Sequence, residues 1–433
     1  MAVSTRTLGQ ALAAIAGAEA VRTGDEPVDG VVPRWVVAPR SIEALGRVVA
    51  LANDERFSVV PRGSGSAMAQ GHPVQRADLV VDLQGLGEVV EYNPDDLTVT
   101  AQAGASLEGL AARLVPHGQY LPLDPPGGNR RTLGGLTATG ASGPLRARYG
   151  TMRDLLLGVR FVQADGVLTW GGAKVVKSVT GYDVPKLMVG ALGTIGILAE
   201  LTLRLHPVPP FERTWLATFA SAESAQAFVA ALVDSPLQPN RVEWLNRAAG
   251  RAWGVTDGAA AVAISVGSVE AAVRAQEVQL EALARTAGAA WHPADAQTWL
   301  RHGVGDSSPS AISLRVSTLA SHLAATVRGI EDAVARVAPA SAIAVSGCAP
   351  LGALRAHIAG VTPEDGGALV TRLREMVAPL DGAVVVERAP IALRTAVDPW
   401  GPVSPAALAL MRAIKHAFDP EGILNPGRFV GGV

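Results

Sequence analysis

From Pro122 to Gly150 the chain runs through glycine, proline and small polar residues. A stretch of that length without regular structure is uncommon in a compact domain, and is usually either a ligand loop or disordered. What flanks it reads as alternating α and β elements, so any fold for this chain must accommodate the stretch. With 433 residues, 48% of them hydrophobic and 18% charged, the chain exceeds one ordinary core, since domains commonly hold about 100 to 200 residues. Two units are expected.

The first unit opens its regular pattern at Ser41. Ile42, Leu45, Val48, Val49 and Ala52 recur at helical spacing after Pro39, which predicts a helix. Phe57 to Val60 reads as a short strand that runs into PRGSGS at 61–66. Strands follow at Leu79 to Leu83, Val89 to Tyr92 and Leu97 to Ala101, then a helix from Ser106 to Leu114. Beyond the glycine-rich stretch, Leu155 to Gln163 and Val167 to Trp170 form a predicted hairpin around Asp165-Gly166, and Ile197 to Leu205 alternates as a strand. The proline cluster HPVPPF at 206–211 cannot continue a sheet, which sets a boundary between units at 1–208 and 209–433. In the second unit, strands at Arg213 to Phe219, Arg241 to Leu245, Ala260 to Val266 and Ile312 to Val316 alternate with helices starting near Ser221, Ser268 and Thr318. Thr362-Pro363 and Ser404-Pro405 each place a hydroxyl cap before a proline at the first helical position. The pattern is α+β, with helices on one face of a sheet and no repeat at a fixed sequence period.

Several classes of function are disfavoured at once. The formal net charge is -2 and the basic residues are scattered, so there is no stripe to neutralise successive phosphates of a nucleic acid. The single cysteine, Cys348, excludes an intrachain disulfide and any iron-sulfur cluster ligated by this chain alone, and fits a reducing compartment such as the cytoplasm. No run of about 18 apolar residues predicts a spanning helix. The alanine-rich first twenty residues superficially resemble a cleavable signal, but Gln10 interrupts them, and an amphipathic first helix is expected instead.

Three segments carry potential chemistry. In the loop at 61–66, Gly63 and Gly65 alternate with Ser64 and Ser66, leaving backbone amides free to converge on an anion. The third glycine of a dinucleotide fingerprint and the helix that should follow it are missing, and a Gly-Ser loop taken alone is equally a simple turn. TLGG at 132–135, ASG at 141–143 and RYG at 148–150 allow close backbone approach to a flat or charged ligand. Within them Gly134, Gly135 and Gly143 supply the space, Thr132, Thr139 and Ser142 supply donors, and Arg148 is either a phosphate partner or a solvated surface arginine. The glycines of GYDVPKLMVGALGTIGILAE at 181–200 are explained equally well as turn residues feeding a strand.

Taken together and in this order, the segments resemble the FAD-binding domain of the vanillyl-alcohol oxidase and p-cresol methylhydroxylase superfamily over residues 30–208. GGLTATGASGPLRARYGTMRDLLLGVRFVQADG, GGAKVVKSVTGYDVPKLMVGALGTIGILAELTLRLHP and the tail DPEGILNPGRFVGG look most like the GlcE-like family of glycolate oxidase FAD-binding subunits. The resemblance implies a p-cresol methylhydroxylase-type FAD-binding domain at 1–208 and an α+β, ferredoxin-like, FAD-linked oxidase C-terminal domain at 209–433. It implies FAD, with Arg62, Gly63, Ser64, Gly65 and Ser66 at the pyrophosphate, residues 132–143 at the diphosphate and flavin, and Ile197 near the adenine end. Gly181, Tyr182 and Asp183 sit in a family segment without an assigned role.

Members that attach the flavin covalently do so through a histidine in the first loop; here Ser64 and Ser66 stand in that loop and His72 falls later, which implies noncovalent FAD. Relatives that oxidise 2-hydroxy acids carry a metal motif of the kind HAGDGNLH. The nearest string here, HGVGD at 302–306, lacks the downstream histidine, and His292 and His302 are not at a ligand spacing, so no metal is expected. Arg315, in the apolar run ISLRV, is either a clamp for a substrate carboxylate or an edge-strand arginine reaching solvent. No general base stands out. The implied activity is oxidation of a 2-hydroxy acid, glycolate or D-lactate, within a complex containing a homologous FAD subunit and an iron-sulfur subunit, with membrane attachment only through partners. A self-sufficient FAD oxidoreductase and a noncatalytic subunit that keeps the fold are the alternatives.

Overall fold

The computed structural model describes residues 5–174, 181–303 and 310–433. Its first half is built on two main sheets, beside a two-stranded ribbon in which His206–Pro207, at the start of the proline cluster expected to end sheet structure, pairs with Gln119–Tyr120. The smaller has the strand order Val21–Thr23, Trp35–Val37, Leu79–Asp82, Val59–Arg62, with Leu79–Asp82 parallel to both neighbours. The helix Ile42–Asp54 precedes the strand carrying the PRGSGS loop. Ser41 caps it, its hydroxyl accepting the Ala44 amide at 3.1 Å, and the predicted face of Leu45, Val48, Val49 and Ala52 is fully buried. The larger sheet is antiparallel, in the order Val89–Asn93, Thr98–Gln102, Ile197–Arg204, Leu156–Val162, Leu168–Gly172. Its middle strand is buried from Ile197 to Leu203, and Ile197 and Ala199 pack with Leu45 and Val59 in the core that joins the two sheets.

The second half forms one eight-stranded antiparallel sheet from two βαββαβ units. The first unit places its strands in the order Ala290–Ala294, Phe211–Phe219, Ala260–Ser268, Arg241–Asn246. The second continues with Ala342–Cys348, Ala353–Ala359, Ile312–Ser317, Ala383–Arg388. Each is ferredoxin-like, and they join where Arg241–Asn246 pairs with Ala342–Cys348. The architecture therefore repeats although the sequence does not. Helices Ala222–Val233, Glu270–Thr286, Leu323–Val337 and Pro363–Val377 cover one face, onto which alternate residues such as Leu314, Val316, Leu354, Ala356, Val384 and Val386 are buried.

The other face is treated differently in the two units. In the first, Leu245, Ala261 and Ala263 are plugged by Ala249 and Trp253, with Trp299 packed alongside. In the second, polar and charged residues project toward the FAD-type half. The chain then returns to its beginning. After helix Pro405–Phe418, Ile423 and Leu424 are fully buried in the core of the small sheet; the Val59 amide donates to Ile423 O and the Asn425 amide to Val59 O. Lys415 fastens the turn by donating to Thr194 O at 2.7 Å and Leu424 O at 2.8 Å while pairing with Asp419.

Candidate active site

A crevice of about 730 Å³ opens where the loop after Val59–Arg62, the helix Leu133–Thr139 and the turn before Ile197 converge. The helix lies inside the stretch expected to be loop. Thr132 caps it, its hydroxyl accepting the Gly135 amide at 3.2 Å. A side chain at Gly63 is excluded, because its Cβ would stand 2.1 Å from that same hydroxyl. Across the crevice Gly193 holds φ at 69°, and a Cβ there would meet the Pro61 ring at 2.5 Å. Backbone thus forms the walls at both places. Met68, Leu83, Leu192 and Ile197 give apolar lining, while Ser64, Ser66, Thr139, Asn425 and Arg428 add polar groups.

These features fit an extended, partly flat dinucleotide. The two serine hydroxyls, 3.3 Å apart, stand on a loop with no bulk between them, and Asn425 leaves its side-chain oxygen buried without a partner in the protein, an acceptor open to a ligand donor.

Of the residues expected at the cofactor, Arg62, Gly63, Ser64, Gly65, Ser66, Gly134, Gly135, Thr139 and Ile197 line this crevice. The Arg62 guanidinium is already engaged, by Glu26 at 3.0 Å and Asp82 at 2.9 Å, so its side chain braces the loop. Thr132 acts as helix cap and spacer behind Gly63. Ser142 and Gly143 line a neighbouring recess instead. Arg148 is exposed on the short helix Arg146–Tyr149 and lines none of the crevices described here. Tyr182 is exposed, and Asp183 caps helix Val184–Met188 by accepting the Lys186 amide. His72 is outside the crevice lining, its Nε2 3.3 Å from Asp398 Oδ1.

A second cleft, about 910 Å³, continues from the first, sharing Ser66, Ala67, Gln70 and Thr139 with it, and is closed by the polar face of the second sheet unit. The period of two explains that face. Ser313 pairs in register with His357 and Arg315 with Arg355, so all four stand on the side opposite Leu314, Leu354 and Ala356. A bulge opposite Ser313 and Leu314 lets the consecutive residues Glu387 and Arg388 both reach the cleft. The FAD-type half contributes Arg131, which is only 8% exposed, donates to Pro126 O at 3.1 Å and Thr139 Oγ1 at 3.3 Å, and keeps a buried Nε without a partner.

Electrostatics divide these groups into fixed charges and one neutral base. Burial alone would raise the Glu387 carboxyl, but the Arg355 guanidinium, bonded through Nε at 2.8 Å, outweighs it and holds the carboxyl below its usual range; Glu387 in turn raises Arg355. Burial, reinforced by the positive charge of Arg355, pushes His357 down to about 4. Its Nδ1 lies 3.1 Å from Ser313 Oγ, and its Nε2 is buried with no partner in the protein. Burial also lowers Arg131, with help from Arg355.

The structure corrects the reading of Arg315 as an edge-strand residue: Ile312–Ser317 is an interior strand, and Arg315, its side chain 35% exposed, lies 3.9 Å from Glu387 in the recess behind Arg355. His357, Arg355, Glu387 and Arg131 were not anticipated. The signal for the first two was present in ALRAHIA, where an arginine and a histidine two apart fall on one side of an alternating strand. Of the string HGVGD, residues 304–306 lie outside the described residues. Among the described residues no three His, Cys, Asp or Glu side chains are grouped to hold a metal ion, and no helix is long and apolar enough to cross a membrane.

The chain is similar to known FAD proteins. Residues 33–172 match the family described as FAD binding domain, and residues 402–429 match the C-terminal domain of FAD linked oxidases. The chain is 30% identical over 215 residues to glycolate oxidase subunit GlcD of Bacillus subtilis, covering 50% of this chain and 46% of that protein. It is 37% identical over 168 residues to glycolate oxidase subunit GlcE of Escherichia coli, covering 39% and 47%. The chain spans less than half the length of the first curated relatives it matches. A longer match, 29% identical over 429 residues, is to a D-2-hydroxyglutarate dehydrogenase of Xanthomonas citri pv. viticola, covering 92% and 89%. The fold is that of p-cresol methylhydroxylase, whose substrate-bound crystal structure superimposes with a TM-score of 0.78 at 16% identity, over 98% of this chain and 96% of that one.

Proposed function

We propose that the chain, whose residues 33–172 match the FAD binding domain family and whose fold is that of p-cresol methylhydroxylase, oxidises a 2-hydroxy acid to the 2-oxo acid in the cleft between its two halves. The observation that carries this reading is His357: a half-buried imidazole whose buried Nε2 has no partner in the protein, among arginines, where the cleft opens from the cofactor crevice.

Bound FAD supplies the acceptor for the hydride from the carbinol carbon. Residues 63–66, Gly134, Gly135, Thr139 and Ile197 hold it without a covalent bond, since the loop offers serines and His72 is turned away toward Asp398. Arg131 and Arg388 orient the substrate carboxylate; the unpartnered Nε of Arg131 is a donor already desolvated for that purpose. With Nδ1–H donated to Ser313, the Nε2 lone pair of His357 takes the hydroxyl proton. Burial, with the Arg355 charge and against the opposing Glu387 carboxylate, favours the neutral form of the ring before reaction. One proton and one hydride leave the alcohol, and the 2-oxo acid remains.

A finer reading makes the chain a GlcE-like member of a cytoplasmic assembly, working with a homologous FAD subunit and an iron-sulfur protein that takes the electrons. The matches to both glycolate oxidase subunits and the presence of a single cysteine support it. The test is anaerobic: the purified chain loaded with FAD receives D-lactate or glycolate, and the flavin absorbance is followed. Bleaching by either acid is expected, and failure of FAD to be retained or bleached overturns the reading.

A further inference from the structure

Two residues of the cofactor crevice, Asn425 and Arg428, come from the tail that follows helix Pro405–Phe418. Asn425 is 6% exposed and tied on two sides: its amide donates to Val59 O at 2.8 Å and its Nδ2 to Leu192 O at 2.7 Å. The Leu192 amide in turn donates to Ala138 O at 2.9 Å, so the tail, the strand Val59–Arg62 and the helix Leu133–Thr139 meet at this one residue. A carbonyl only accepts, so Leu192 O fixes which end of the Asn425 side-chain amide faces it; turning the group over would set oxygen against oxygen. The other end, Oδ1, is thereby held in place, buried and with no donor in the protein.

The backbone narrows the choice of residue further. Asn425 has φ of 43°, in the left-handed region that glycine, asparagine and aspartate adopt at low cost. Glycine would suit the backbone and bond nothing, and aspartate would turn a carboxylate on Leu192 O. Asparagine combines the conformation with a donor for Leu192 and leaves an acceptor over. A buried acceptor without a donor is destabilising, and the protein does not supply one: Arg428, on the same wall, directs its Nη1 to Asp29, Met68 O and Gln70 O. FAD does carry donors. Its diphosphate only accepts at neutral pH, but the ribose and ribityl hydroxyls, the adenine amino group and the ring N3–H all donate.

We propose that Asn425 is a cofactor ligand carried by the C-terminal tail: Oδ1 accepts a hydrogen bond from a hydroxyl, amino or N3–H group of FAD, so that FAD binding and docking of the tail stabilise each other. The inference rests on the crevice holding FAD and is independent of the proposed oxidation, so it is tested without turnover. Asn425→Gly keeps the left-handed backbone and removes the acceptor. In a fluorescence titration its Kd for FAD is expected to rise about three- to tenfold, the factor carried by one hydrogen bond. The same loss with ADP places the donor on the adenosine half of FAD, and its absence there on the flavin half; either upholds the contact. A second measurement needs no substitution. By reciprocity, saturating FAD should slow hydrogen exchange of the Val59 and Asn425 amides, which bond across the joint between tail and strand, by at least about threefold in the unaltered chain. A folded Asn425→Gly that binds FAD as tightly as the unaltered chain overturns the proposal, as do tail amides that FAD leaves unslowed. Were the unaltered chain to bind no FAD at all, the cofactor site itself would fall, and this contact with it.

Discussion

Replacing His357 by glutamine removes the one titrating group that the cleft holds neutral, and the effect is measurable as stability as well as rate. A histidine in an unfolded chain titrates near 6.5, whereas burial and Arg355 push His357 down to about 4. Because the folded value lies below the unfolded one, the contribution is fully present above about pH 6.5 and is lost as the pH falls toward 4, where the unfolded chain binds the proton and the folded chain resists it. The whole shift corresponds to about 3 kcal/mol, of which about 2.5 kcal/mol is lost between pH 7 and pH 4.5. Glutamine does not titrate, so His357→Gln lacks this loss while sharing the titrations of the other groups. The assay is urea unfolding of both proteins at the two pH values in saturating FAD. The stability of the unaltered chain relative to the variant should drop by about 2.5 kcal/mol at the lower pH. A difference that is the same at both refutes the neutral imidazole. On the catalytic side, loss of the base should slow anaerobic flavin reduction by about 10² to 10⁴, and the acid limb of the unaltered chain should fall near pH 4 rather than near 6.5.

Two further substitutions examine how the halves are held and how the cofactor is gripped. Asp29, 4% exposed, pairs with both Arg394 of the second half and Arg428 of the returning tail, so Asp29→Asn strands two buried guanidiniums and should cost about 3 to 5 kcal/mol by denaturant unfolding; a change under about 0.5 kcal/mol contradicts the clamp. Gly63→Ala drives a methyl to 2.1 Å from Thr132 Oγ1, and overpacking of about 1 to 3 kcal/mol should weaken FAD binding by about 5- to 150-fold in a fluorescence titration. Unchanged affinity would place the dinucleotide away from this loop.

Local signals made part of this architecture readable from sequence. Ser41 with Leu45, Val48, Val49 and Ala52 states both the start and the buried face of a helix, and the caps at Thr362 and Ser404 each open a helix at the following proline. The glycine-rich run hid the helix Leu133–Thr139, because Gly134 and Gly135 have poor helical propensity and the first is there for packing, its Cβ position lying 2.8 Å from that of Ala103. Strand order is a nonlocal property, so nothing near Arg315 tells an interior strand from an edge. Partners distant in sequence decide whether a charge is available: Arg62 reads as a phosphate ligand until Glu26 and Asp82 claim it. The cleft depends on two such meetings, the second sheet unit facing Arg131 and the tail closing over Val59, and neither leaves a periodic trace.

The most direct measurement is a crystal structure of the FAD-loaded chain soaked with a 2-oxo acid. The account predicts the diphosphate along residues 63–66, the flavin ring at the junction marked by Ser66 and Thr139, and the oxo acid between Arg131 and His357 with its carbonyl oxygen in hydrogen-bond reach of Nε2. A dinucleotide seated elsewhere, or an oxo acid bound away from His357, would contradict it.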